Sequence, residues 1–187
     1  MKKIIALGAS SSSKSINKTL AIYAASKVAD ASINVIDLNE YMLPLYSVDA
    51  EKEKGIPEGA YRFNDMVASA DGLVISLAEH NGSYTAVFKN LIDWLSRIDI
   101  KVWKGKPMLL MATSPGGRGG ASVLAAAKSY FPFMEGNIVA DFTLPSFYDN
   151  FSNEGISNPE LASELDEKIA LFELSFKTVE ALSPSKF

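Results

Sequence analysis

The chain has 187 residues, 48% apolar and 21% charged, with 18 Lys and Arg against 22 Asp and Glu for a net charge of −4. That length suits a single domain, 1–187, with a core large enough to stand without staples, and the mild acidity gives no general attraction to nucleic acid or an anionic membrane. Cysteine is absent and His80 is the one histidine, which excludes disulfides, zinc–thiolate sites, iron–sulfur clusters and a cysteine nucleophile; apolar runs fall short of the ~18 residues of a membrane span.

Lys2-Lys3 followed by apolar residues 4–9 mimics a signal peptide, but the run stops at serines, short of the usual ~7–15-residue apolar core. It reads as the buried first strand of a cytoplasmic protein. Residues 17–31 carry Leu20, Ala24, Val28 and Ala31 at helical spacing. Residues 33–38 form a second strand, and 39–57 are irregular, with Pro44, Gly55 and Pro57. A helix over 58–70 turns Phe63, Met66, Val67 and Ala70 inward, and 72–78 make a third strand. A turn at 79–83 leads to a third helix, 84–98, whose wide apolar stripe (Val87, Phe88, Leu91, Ile92, Leu95, Ile98) suits contact with both the sheet and a partner.

Residues 107–113 give a fourth strand, 114–120 a glycine-rich loop, 121–134 a helix and 137–144 a fifth strand. An aromatic, irregular stretch, 145–158, precedes a last helix over 159–182, with Leu161, Leu165, Ile169, Phe172, Phe176 and Val179 on one face. Alternating strands and helices of this kind predict a doubly wound α/β sandwich of three layers. Its sheet is five-stranded and parallel, in the flavodoxin-like order 2-1-3-4-5.

In such sheets ligands bind beyond the carboxyl ends of the strands, at the point where strand order reverses. The loops after strands one, three and four converge there. The first, 8–17, joins a strand to a helix N-terminus through serines, a composition suited to a phosphate. The plainer alternative is capping alone, with Ser15 as N-cap. It is neither a Walker loop nor Gly-x-Gly-x-x-Gly. In the second, Glu79-His80-Asn81-Gly82-Ser83, Asn-Gly permits a sharp turn that presents backbone groups to a planar heterocycle; alternatively it is a plain turn with Ser83 as N-cap. The third, Ser114-Pro115-Gly116-Gly117-Arg118-Gly119-Gly120, lets backbone approach a ligand, and a bound partner would order it. Arg118 either attracts a phosphate or faces solvent. Lys101, Lys104 and Lys106 beside Trp103 read as a solvated turn.

Together these loops resemble the NADPH-dependent FMN reductase family, whose members include FMN, quinone, azo-dye and chromate reductases. Ser10, Ser15 and Asn17 match its Gly-Ser-x-Arg-x-x-Ser-x-Asn loop, with Ser12 in place of the arginine. Its Pro-Glu-Tyr-Asn-Gly motif, followed by Lys-Asn-x-x-Asp-Trp, is similar to residues 78–82 and 89–94, with Ala78 and His80 in place of proline and tyrosine. Ser-Pro-Gly-x-x-Gly-Gly is present at 114–120, and Leu43-Pro44-Leu45-Tyr46 is also familial in character.

The resemblance covers about residues 2–145 and implies FMN as cofactor. The phosphate is expected on Ser10, Ser12, Ser15, Ile16 and Asn17. The ring is expected between Ala78, Glu79, His80, Asn81 and Gly82 on one side and Ser114, Pro115, Gly116 and Gly117 on the other. NADPH or NADH is the implied electron donor, a quinone, free flavin or azo compound the acceptor, and a homodimer or homotetramer the assembly. A catalytic side chain and a metal ion are not expected. The rival classes are a flavodoxin-like electron carrier and a binding module that kept the fold without reductase activity.

Overall fold

The computed structural model describes residues 1–182, with side chains through Phe176, so the expected inward position of Val179 lies outside the described residues. The main strands are β1 (Lys2–Ala9), β2 (Ala31–Ile36) and β3 (Gly72–Leu77). After a small hairpin of β4 (Glu79–His80) and β5 (Ser83–Tyr84) come β6 (Pro107–Thr113) and β7 (Asn137–Leu144). A second hairpin, β8 (Phe151–Ser152) and β9 (Gly155–Ile156), follows. The main sheet runs β2-β1-β3-β6-β7 with every neighbouring pair parallel, the order expected for five strands of this class.

The helices are α1 (Ile16–Ser26), α2 (Val48–Lys54), α3 (Glu58–Ser69), α4 (Ala86–Ile98), α5 (Ala121–Tyr130), α6 (Phe147–Asn150) and α7 (Pro159–Leu182). Alternation along the central strands feeds two cores. Leu73, Ile75, Met108 and Leu110 pack with Phe63, Val67, Leu91 and Leu95 on one face. Val74, Leu109 and Met111 meet Leu20, Ala24, Leu165 and Phe172 on the other. Burying each such side chain contributes about 1.5–3 kcal/mol, which is why β3 and β6 read as unbroken apolar runs. At the edge, β2 leaves Ile33 and Val35 36% and 41% exposed.

Helix limits differ from expectation where local chemistry overrides periodicity. α1 ends at Ser26, not residue 31, and Asp30 adopts φ 51° before β2 begins at Ala31. Val28 stays buried beyond the helix, so the apolar spacing continued past the helical backbone. α5 stops at Tyr130 and tightens into a 3-10 turn over Phe131–Met134, because Pro132 has no N–H to continue the ladder. α4 starts at Ala86, since residues 79–84 form the β4–β5 hairpin. The 101–106 turn is not fully solvated: Trp103 is buried and packs its ring 4.7 Å from that of Phe131.

The two irregular stretches are held by specific partners. Asn90 on α4 donates to the carbonyls of Leu43 and Pro44 and accepts from the Tyr46 N–H. One turn on, the Trp94 indole donates to the Pro44 carbonyl at 2.7 Å. The Asn-x-x-x-Trp spacing therefore clamps Leu43-Pro44-Leu45-Tyr46. In 145–158, the Phe151 ring meets Tyr23 edge-on at 5.3 Å, fastening the β8–β9 hairpin to α1. Among the described residues no helix is long and apolar enough to cross a membrane.

Candidate functional site

Gly8, near the end of β1, lies so close to α1 that a Cβ there would collide with the Lys18 backbone. This contact brings the start of α1 directly over the strand end. The intervening loop is knitted by Ser10 N–H to Gly8 O, Ser12 N–H to Ser10 Oγ and Ser15 N–H to Ser12 O. Ser15 is the N-cap: its Oγ accepts from the Lys18 N–H at 3.1 Å. Capping uses a lone pair and leaves the hydroxyl proton free to donate. The N–H groups of Ile16 and Asn17, in the first turn, have no intrahelical acceptor. Capping by Ser15 therefore does not exclude anion binding at this loop.

Asn17 lines the same pocket and is also tied into the sheet. Its side chain is buried, donating from Nδ2 to the Thr113 carbonyl (3.0 Å) and accepting at Oδ1 from the Thr113 N–H (3.1 Å) and the Ser76 hydroxyl (2.7 Å). Thr113 Oγ1 in turn donates to the Leu144 carbonyl. This satisfied network ties α1 to β3, β6 and β7 beneath the loops. The Asn17 amide thus acts as a strut, and its backbone N–H stays in the first turn of α1 at the pocket.

The second loop is a two-residue hairpin in which Asn81 and Gly82 take φ 52° and 78°, the positive pair of a type I′ turn. The helix after it is capped by Thr85, not Ser83: Oγ1 accepts from the Phe88 N–H and donates to the Ala9 carbonyl at 2.9 Å. That bond ties the end of β1 to the start of α4. Glu79 accepts the Val123 N–H at 3.0 Å and so caps α5, whose own N-cap, Gly120, has no side chain to do so. The hairpin and the glycine-rich loop are thereby joined.

The third loop is tied to the chain that follows β7. Phe147 N–H donates to Ser114 O and Ser146 N–H to Gly116 O, both at 3.0 Å. Gly119, at φ 56°, sits where a Cβ would lie 2.9 Å from the Leu144 carbonyl oxygen, so glycine is obligatory there. At Gly116 and Gly117 a Cβ would come no closer than 3.9 Å to any chain atom.

These elements enclose an open pocket of about 200 Å³. Ser10, Ser12, Ser15, Ile16 and Asn17 line it from the first loop, Ala78, Glu79 and His80 from the second, Ser114 and Pro115 from the third. Asn81 and Gly82 sit at the exposed hairpin tip, and Gly116 and Gly117 on the exposed loop, outside that wall. Thr113 lines it too, as do Lys14, the neighbouring cation that could compensate for the arginine replaced by Ser12, and Tyr148, one of the aromatics of 145–158 suited to a ring pocket. Lys14 follows from its place in the serine loop; Tyr148 enters only because the Ser114 and Gly116 carbonyls hold the start of α6. Arg118 is exposed and donates to the Ser122 hydroxyl. Lys101 and Lys104 pair with Glu135 and Asp99 before β6, at the opposite edge of the sheet, and so lie away from the pocket.

A family model described as NADPH-dependent FMN reductase matches residues 2–149. A 2-hydroxy-1,4-benzoquinone reductase of Burkholderia sp is 40% identical over 123 residues, covering 65% of each chain. The quinone reductase of Escherichia coli (strain K12) is 34% identical over 114 residues, 60% of this chain and 61% of that one. Both alignments span less than two thirds of the relatives' length. In fold, the chain is similar to the flavoenzyme NAD(P)H:(acceptor) oxidoreductase FerB from Paracoccus denitrificans, with TM-score 0.72 and 23% identity, covering 95% of this chain and 98% of that one.

Proposed function

The chain belongs to the NADPH-dependent FMN reductase family, and on that premise we propose that it is an FMN-dependent oxidoreductase carrying electrons from NADPH or NADH to a small acceptor of the quinone class. The observation that carries the reading is the convergence of three loops and the N-terminus of α1 on one pocket at the strand-order reversal. The donor set fits a flavin phosphate: serine hydroxyls from Ser10, Ser12 and Ser15 surround the first-turn N–H groups of Ile16 and Asn17. When bound, FMN supplies reversible two-electron hydride chemistry.

The chain's own residues bind and orient. The Thr85 and Glu79 contacts fix the hairpin against β1 and α5, so the walls meeting a planar ring keep their spacing. Ser114 and Pro115 form the facing wall. The protein's role is positioning, with no side chain assigned to proton transfer. The visible spectrum before and after FMN loading tests the reading: retained yellow colour that bleaches with NADPH under anaerobic conditions, then recovers with a benzoquinone, is the expected result. Protein that stays colourless after loading refutes it.

The assembly is a homodimer or homotetramer in this reading. The pocket is open and smaller than the ~300–1,000 Å³ of a usual ligand site, so a second copy would complete its wall. Strongly exposed apolar groups flank α4 on both sides, Met42 and Leu45 on one and Ile100 and Tyr130 on the other. Light scattering at micromolar concentration tests this, and a monomer mass refutes it. A cytoplasmic location, where reduced nicotinamide is supplied, belongs to this reading, and fractionation of the source cells checks it.

A further inference from the structure

We propose that Lys14 provides the cationic contact to the flavin phosphate in this chain and thereby sets its preference for FMN over uncharged riboflavin. The inference rests on the FMN reading above. Ser12 stands where the family carries arginine, so the loop has hydroxyls and N–H groups but no guanidinium to face a dianion. The structure puts Lys14 on the wall of the same pocket, beside Ser12 and Ser15.

Its surroundings leave that charge uncommitted. Lys18, Lys27, Lys89, Lys101, Lys104 and Lys128 each lie 2.5–3.2 Å from a carboxylate. Lys14 is exposed and has no such partner among the described residues. Glu79, the carboxylate in the pocket wall, already accepts the Val123 N–H. Arg118 is outside the wall and engages Ser122. His80 lines the pocket from the hairpin, not from the serine loop.

An ammonium differs from the guanidinium it replaces. It is a point charge on a flexible stem, without a planar fork to grip two phosphate oxygens. The contact is charge-assisted yet exposed, so it weakens with salt. Riboflavin, lacking the phosphate, leaves Lys14 without a role.

The test is fluorescence titration of the full chain with FMN and riboflavin, at low and high salt, with inorganic phosphate as competitor. For Lys14→Gln the FMN dissociation constant is expected to rise about tenfold, with riboflavin unchanged within about twofold and a shallower salt dependence. Ser12→Arg placed in the Lys14→Gln background is expected to restore FMN affinity. Phosphate competition against FMN that weakens in Lys14→Gln supports the same contact. An FMN constant for Lys14→Gln within twofold of wild type overturns the proposal while leaving the FMN reading intact. Equal weakening for FMN and riboflavin also overturns it, since that marks a general change in the pocket. Wild-type protein that binds neither flavin defeats the FMN reading and this proposal together.

Discussion

Replacing Asn17 probes the network that holds the three loops over one point. Its amide exchanges two hydrogen bonds with the Thr113 backbone and accepts a third from Ser76, all buried. In Asn17→Ala the Thr113 N–H and carbonyl lose their partners away from water, at about 1–3 kcal/mol each, while the Ser76 hydroxyl is free to rotate. Allowing for relaxation, the loss should be about 2–4 kcal/mol, a large part of the ~5–15 kcal/mol typical of a domain. Asn17→Asp sharpens the argument. A carboxylate keeps the acceptor but turns a bare oxygen toward the Thr113 carbonyl, and only its protonated form donates there. Burial and that carbonyl therefore raise the introduced carboxyl's folded pKa above its unfolded value of about 3.9. A raised folded pKa means the aspartate variant recovers stability as pH falls through that value, while the alanine variant's deficit stays fixed. Urea denaturation of wild type and both variants between pH 7 and pH 4.5 measures this. Asn17→Ala within 1 kcal/mol of wild type, or an Asn17→Asp deficit that does not shrink on acidification, would refute the reasoning.

Other expectations follow from single contacts. The Tyr84 hydroxyl is buried without a hydrogen-bond partner, and burial pushes its pKa up to about 12. Tyr84→Phe should therefore stabilise the fold by about 1 kcal/mol; a loss of stability in denaturant would show an unrecognised partner. Gly119→Ala should cost about 2–3 kcal/mol because its Cβ meets the Leu144 carbonyl and Thr143 methyl. By contrast Gly116→Ala should stay within about 0.5 kcal/mol, and equal melting temperatures for the two variants would contradict the difference in space. A hydrogen bond from Lys18, then one from the Asn39 N–H, holds the Asp37 carboxyl below its ordinary range. A depressed folded pKa stabilises above the unfolded value and is lost as pH falls through the folded one. Asp37→Asn should thus be less stable than wild type at pH 7 and approach it as pH falls below the ordinary aspartate range; a gap independent of pH would count against the pairing.

The sequence by itself determined the layered architecture, because side-chain period is a local property. Residues 72–78 and 107–113 read as buried strands, and β6, β7 and α7 keep the limits expected from their apolar runs. It also indicated the carboxyl edge of the sheet as the ligand edge, since glycine and serine clusters fall after β1 and β6. Local signals failed where backbone chemistry competes with periodicity: α1 stops before Val28, and Asn81-Gly82 builds a hairpin ahead of α4. Tertiary structure alone decided which partners the candidate site residues hold. Asn17 reads as a phosphate-loop residue in its motif, and only the fold shows that its amide is engaged by Thr113, 96 residues away. Glu79 reads as a loop residue until α5 presents an uncapped N–H to it across 44 residues. Tyr148 has no motif at all and reaches the pocket because the Ser114 and Gly116 carbonyls hold the start of α6. Hydrogen-bond partners distant in the chain are chosen by the packing of the sheet and helices, so residue type and spacing name the candidates and three-dimensional proximity assigns the roles.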